Sequence, residues 1–160
     1  MRRPWPWLCA ALATLVAGCA SLPPLAGRDA STALTDTGAT TLGRAIAPRL
    51  ARHPGKTGIY PLTLPADAFA ARGLLAIEAQ RSLDVQYYIW RGDETGMLLA
   101  EALWRAAERG VRVRLLLDDH GTTGLDRTLA ALDAHPNIEV RLYNPLMHRG
   151  LRALNFLADF

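Results

Sequence analysis

Lysine and cysteine are scarce in this sequence. Its 160 residues include one lysine, Lys56, and two cysteines, Cys9 and Cys19. Cys9 lies in an apolar amino-terminal run, so a chain that loses this run keeps one thiol and cannot form an intrachain disulfide. The formal charge of +3 includes Arg2 and Arg3, and without them too little positive charge remains to argue for a nucleic-acid-binding surface. The length suits one domain of ordinary size.

Residues 1–18 have the layout of a secretory signal. Arg2 and Arg3 precede an apolar run, and small residues precede Cys19. The ending at residues 16–19 resembles a bacterial lipoprotein box, which implies acylation of Cys19 and a lipid-anchored, periplasmic protein of the cell envelope. Ala20, where some lipoproteins have aspartate, favours the outer membrane. Loss of the two arginines lowers the charge to +1.

Two alternatives to the lipoprotein signal stay open. The apolar run could be an uncleaved membrane span, although it is shorter than the roughly 20 residues that a span needs. It could also be an ordinary signal peptide that contains an incidental cysteine.

The remaining chain divides into a tether and one domain. Residues 19–58 carry scattered proline, serine and glycine, which predicts a flexible periplasmic tether with a short helical turn near residues 42–50. The domain, residues 59–160, has period-two patterns at 82–90, 111–117 and 138–143, which predict strands. A helical pattern covers 66–80, and a second helix begins with Asp93 or Thr95 as its cap and runs to Glu108. A third helix begins with Thr122 or Thr123 as its cap, and another follows near 151–157. Short links predict a parallel βαβαβ unit of the α/β class.

The predicted buried faces follow from these periods. On the first helix, the predicted buried stripe is Phe69, Leu74, Leu75 and Ile77. The first strand alternates an apolar face, Leu83, Val85, Tyr87 and Ile89, with a second face, Asp84, Gln86, Tyr88 and Trp90. This second face carries an acid, an amide and a phenol, and so it could face a site.

Two carboxylates end the second predicted strand. Asp118 and Asp119 could bind Mg²⁺, could orient a base or a substrate hydroxyl, or could cap the next turn. A receiver-type phosphorylation site would need a third aspartate at the next strand end, where Asn144 stands. Ligands of parallel sheets collect beyond these carboxyl ends.

Histidines and glycines add little chemistry. His53, His120, His135 and His148 have no metal-ligand spacing, and each is predicted to be a surface residue, with His120 at the strand ends. The turn at 121–124 lacks Gly-x-Gly-x-x-Gly and a Walker lysine, which predicts a plain loop. We therefore predict no metal site and no cofactor.

Three segments resemble the start of the bacterial phospholipase D superfamily, and in particular its cardiolipin synthase-like proteins of the C type. They are RSLDVQYYIW at 81–90, AAERGVRVRLLLDD at 106–119 and HPNIEVRLYNP at 135–145. The resemblance implies the amino-terminal part of a phospholipase D-like fold. It also implies metal-free phosphatidyl transfer between membrane phospholipids, through a histidine nucleophile and a second histidine as acid and base.

The motif that carries this chemistry, His-x-Lys-x₄-Asp in two copies, is absent here. The residue two places before Lys56 is Pro54, so no residue is assigned a catalytic role. The resemblance therefore predicts a fragment that stops before its nucleophile and is inactive alone. The alternative is a short, non-catalytic lipoprotein that binds a partner at the membrane. A third reading is a Mg²⁺-dependent receiver or phosphatase. A receiver would need an aspartate at Asn144, and a phosphatase of the Asp-x-Asp type would need one at His120.

Five residues are predicted to support the wall of a substrate site, as headgroup or supporting contacts. They are Asp84, Gln86, Tyr88, Asp118 and Asp119. The competing prediction for each is a turn cap or a strand-end hydrogen bond. Whether the chain is itself an enzyme, and its oligomeric state, are left open by the sequence.

Overall fold

The computed structural model describes residues 27–146. The predicted signal at 1–18, Cys19, His148 and the helix predicted near 151–157 lie outside these residues. The chain divides into two compact units. Residues 31–144 form one unit and carry all the regular structure described below; of the other, only residues 27–30 and 145–146 are described.

Within residues 31–144, helices alternate with three parallel strands, as the α/β prediction requires. The sheet order is β1-β2-β3, and both strand pairs are parallel. The elements are α1 Thr41–Ala51, α2 Pro65–Glu78, β1 Ser82–Tyr87, α3 Glu94–Glu108, β2 Arg112–Asp118, a 3₁₀ turn Asp119–Gly121, α4 Asp126–Asp133 and β3 Ile138–Tyr143.

The core lies between one face of the sheet and the helices. In β2 the alternate residues Val113, Leu115 and Leu117 are buried, and Leu103 of α3 packs in the same cluster. Of the two caps predicted for helix α3, the structure uses Asp93, whose Oδ1 accepts from the Gly96 N–H at 2.9 Å. The opposite face of the sheet is polar and partly exposed, so the period-two pattern of the sequence separates core from surface.

The predicted buried stripe of α2 is wrong. Leu74, Leu75 and Ile77 are between 49% and 59% exposed, whereas Ala76 and Ala79 are buried. Small side chains let α2 pack closely on α3. Arg109 then reaches across and donates to the carbonyl of Ala76 at 2.8 Å, which satisfies a free carbonyl at the end of α2.

Strand β1 ends at Tyr87, three residues earlier than predicted. The alternation therefore breaks, and the side assigned to Trp90 is wrong. Trp90 is buried, and its ring meets the ring of Tyr87 edge-on, with centroids 5.0 Å apart. Ile89, predicted to be on the apolar face, is half exposed. Burying the indole of Trp90 instead of the smaller side chain of Ile89 removes more apolar surface from water.

The cap predicted for α4 is also wrong. Helix α4 begins after Leu125, with no side-chain cap. Thr122 instead donates from Oγ1 to the Asp119 carbonyl at 2.9 Å, and so it closes the 3₁₀ turn. The spacing of Leu125, Leu129 and Leu132 predicts one buried stripe, and all three are buried.

His135 is buried, which contradicts its predicted place on the surface. Its Nε2 lies 3.0 Å from Glu108 Oε1, and its Nδ1 accepts from the Asn137 N–H at 3.1 Å. The ring packs edge-on against Trp104. These contacts satisfy both ring nitrogens, which allows the imidazole to be buried.

The segment before the domain is partly ordered against it. Helix α1 has 11 residues, more than the single turn predicted. The carbonyls of Ser31 and Thr32 accept from Arg114 and Arg112, and Asp36 pairs with Arg81 at 2.8 Å. Within residues 27–146, no helix has the length and apolar character needed to cross a bilayer.

Candidate functional site

A cleft of about 590 Å³ opens at the carboxyl ends of β1 and β2. It is lined by the loop at 88–93 and by His120, Gly121 and Thr123 of the turn that follows β2. This is the edge at which parallel α/β sheets bind ligands. The volume lies within the range of small-molecule sites.

Backbone contacts hold the two loops of the cleft together. The Trp90 N–H donates to the Gly121 carbonyl at 3.2 Å. A Cβ on Gly121 would lie 2.2 Å from the Tyr88 carbonyl oxygen, so only glycine permits this approach. The ring of Trp90, in the first loop, is buried and packs edge-on against Tyr87. These contacts between residues 88–90 and Gly121 form what is called here the floor of the cleft.

Asp118 and Asp119 build the turn and do not line the cleft. Asp118 Oδ1 accepts from the His120 N–H at 3.0 Å and lies 3.5 Å from His120 Nδ1. Asp119 is 1% exposed, and its Oδ1 accepts from Thr122 Oγ1 at 3.2 Å. Both carboxylates thus hold the turn at 119–122 in shape, the capping role that the sequence left as an alternative.

Asp84 and Gln86 lie on the open face of the sheet. They line a separate depression of about 260 Å³ together with Arg114 and Arg141. Arg114 Nε donates to Asp84 Oδ1 at 2.6 Å, and the two residues are register partners in β2 and β1. In this hydrogen bond each side chain stabilises the charged form of the other. It therefore lowers the pKa of Asp84 and raises the pKa of Arg114.

The five predicted wall residues are therefore distributed over three places. Tyr88 lines the cleft and is 73% exposed, the two strand-end aspartates lie in the turn beneath it, and Asp84 with Gln86 faces the other depression. Period two places alternate residues on one face. The bend after Tyr87 separates Tyr88 from that face, and no alternation in the sequence reports the bend.

Arg91 is the cleft residue that sequence reasoning missed. It lines the cleft with His120 and Thr123, which brings a guanidinium, an imidazole and a hydroxyl to one opening. These groups are donors that suit an anionic oxygen such as that of a phosphodiester. The sequence does contain a signal for this residue, because Arg91 is the first cation after the polar face of the first strand.

Comparisons with known proteins indicate the family to which the chain belongs. No protein-family model matches the chain. Cardiolipin synthase C of Escherichia coli is 56% identical over 119 residues, which cover 74% of this chain and 25% of that protein. The major cardiolipin synthase of Bacillus subtilis is 44% identical over 48 residues, covering 30% of this chain and 10% of that protein. Among solved structures, NucT from Helicobacter pylori gives a TM-score of 0.42 at 25% identity and covers 50% of each chain.

The sequence identity to these two cardiolipin synthases places the chain in the phospholipase D superfamily. Within that superfamily, the chain belongs to the cardiolipin synthase-like group. The chain spans about a quarter of the length of the curated relatives that it matches over about three quarters of its own length.

Proposed function

We propose that this chain supplies the amino-terminal part of a phosphatidyltransferase of the cardiolipin synthase type, and that it is inactive alone. The observation that carries the proposal is 56% identity to cardiolipin synthase C over 119 residues. The single lysine of the chain, without a histidine two places before it, is the reason for expecting no activity from the chain alone.

In this proposal, the cleft at the strand ends forms one wall of the phospholipid headgroup site. Arg91 pairs with the phosphate, because a guanidinium can donate two parallel hydrogen bonds to two of the phosphate oxygens. His120 and Thr123 offer further polar contacts, and Tyr88 presents a phenol at the rim. Asp118 and Asp119 act indirectly, since they fix the turn that carries His120.

The proposed location is the cell envelope. Acylation at Cys19 would anchor the chain at the periplasmic side of a membrane. Ala20, the residue after this cysteine, favours the outer membrane. Membrane phospholipids are then both the surroundings and the substrates. Several acyl chains bind a bilayer far more firmly than one, since each buried CH₂ contributes about 0.8 kcal/mol.

A hybrid enzyme tests the proposal. The stretch of about 119 residues that matches Escherichia coli cardiolipin synthase C replaces the corresponding segment of that enzyme. The hybrid is expressed in cells that lack their own cardiolipin synthases. We expect cardiolipin in lipid extracts from the hybrid and none from the 160-residue chain. A folded hybrid that makes no cardiolipin would contradict the proposal and favour the non-catalytic lipoprotein.

A matched pair of substitutions tests the cleft within the hybrid. Arg91→Gln removes the proposed phosphate contact and is expected to lower cardiolipin formation. Arg127→Gln removes the same charge from an exposed position on α4 and is expected to leave it unchanged. Equal effects of the two substitutions would count against a headgroup site in this cleft.

A further inference from the structure

The stretch at residues 37–66, here called the basic segment, has an unusual charge distribution. It contains Arg44, Arg49, Arg52 and Lys56 and no aspartate or glutamate. All four cationic residues are exposed. A 30-residue stretch that carries positive charges and no negative charge attracts anionic surfaces.

Helix α1, inside the basic segment, carries an apolar stripe that the domain does not cover. Leu42, Ile46 and Leu50 follow one another at a spacing of four residues and so share one face. Ile46 and Leu50 are 48% and 51% exposed, and α1 buries no residue. Arg49, three residues after Ile46, borders this stripe.

The loop after α1 continues the same combination. Ile59 and Tyr60 are 87% and 85% exposed, and Leu62 and Leu64 are also exposed. Large apolar side chains next to cations, with no anion between them, are typical of segments that lie in the interface of a bilayer. Tyrosine suits the headgroup level, because its ring is apolar and its hydroxyl is polar.

We infer that the basic segment is a docking surface for an anionic phospholipid bilayer. Its apolar side chains enter the boundary between headgroups and acyl chains, while Arg49, Arg52 and Lys56 pair with lipid phosphates. Charge complementarity selects this occupant, since the segment offers four cations and no anion. The inference does not depend on catalysis or on acylation at Cys19. It adds a second membrane contact, about 30 residues from the proposed anchor along the chain.

Vesicle co-sedimentation of the full chain tests this docking surface. Every protein carries Cys19→Ser, so that no acyl group contributes. Binding is measured to vesicles of phosphatidylcholine alone and to vesicles of equal parts phosphatidylcholine and phosphatidylglycerol. The apolar run at the amino terminus is common to all variants, so the readout is the ratio between the two vesicle types.

Two charge-matched variants separate the docking surface from net charge. The double variant Arg49→Gln, Arg52→Gln is expected to lose about fivefold in the phosphatidylglycerol partition coefficient per cation. The control Arg105→Gln, Arg127→Gln carries the same charge change on α3 and α4 and is expected to stay near wild type. Because α1 buries no residue, unchanged thermal unfolding is expected in the first variant.

The apolar stripe has its own test, Ile46→Ser with Leu50→Ser, which is expected to weaken binding to the anionic vesicles without a change in charge. Three results would overturn the inference. They are equal losses in the two arginine variants, no preference of the wild-type chain for anionic vesicles, and tighter binding to a DNA duplex than to those vesicles at the same salt concentration.

Discussion

Replacing Gly121 by alanine should loosen the floor of the cleft. The added methyl carbon would lie 2.2 Å from the Tyr88 carbonyl oxygen and 3.0 Å from the Ile89 Cα, whereas ordinary contacts begin at 3.4 Å. Both neighbours are backbone atoms, so relief requires one of the two loops to move. Overpacking of this kind costs about 1–3 kcal/mol.

The Trp90 N–H reports this change directly, because it donates to the Gly121 carbonyl at 3.2 Å. A cost of that size should speed its hydrogen exchange by roughly 5- to 150-fold. Amide exchange followed by NMR or mass spectrometry measures the rate. Urea unfolding of the same variant should show a loss of stability within the same range.

Gly73→Ala is the matched control. A Cβ at Gly73 would meet nothing within 4 Å, and its place inside α2 predicts a gain of about 1 kcal/mol. Its effect on the Trp90 amide should be small. Unchanged exchange at Trp90 in Gly121→Ala would refute the reasoning, as would equal stabilisation by both substitutions.

Two further predictions concern single contacts. A double-mutant cycle on Asp84 and Arg114 should give a coupling of about 0.2–1 kcal/mol, because the pair is partly exposed. Since folding lowers the pKa of Asp84 from 3.8, this stabilisation is present above that value and is lost as the pH falls through the lower folded-state pKa. His135→Ala should destabilise the domain by about 1–3 kcal/mol in urea unfolding, since it leaves the Asn137 N–H without its acceptor. His53→Ala, at an exposed position, should have little effect, and equal losses would contradict the assigned contacts.

Most of the sheet could be predicted from the sequence, because burial and periodicity agree there. Val113, Leu115 and Leu117 alternate with Arg112, Arg114 and Leu116, and Ile138 and Val140 alternate with Glu139. The arginines and the glutamate mark the face that stays outside the core. The α/β class and the order of the elements follow from these strands and the helical patterns between them.

The face of α2 could not be predicted in this way. Both sides of this helix are apolar, since leucine and isoleucine alternate with alanine. Periodicity cannot tell which side packs, and close approach to α3 selects the alanines. The exposed leucines are thus a property of the packing, not of the pattern.

The structure does not bring the five predicted wall residues together, although one of them, Tyr88, lines the cleft at the carboxyl ends of the strands. Asp118 and Asp119 turn inward to hydrogen bond within their own turn, a choice set by the 3₁₀ geometry. Arg91 reaches the cleft because β1 ends early at Tyr87. Both outcomes depend on local backbone geometry that residue types alone do not specify.

The most direct test of the central claim is phosphatidyl transfer by the purified hybrid with cardiolipin synthase C, compared with the 160-residue chain. With labelled phosphatidylglycerol as substrate, the account predicts labelled cardiolipin from the hybrid and none from the chain alone. Transfer by the chain alone, or a folded hybrid with no transfer, would contradict it.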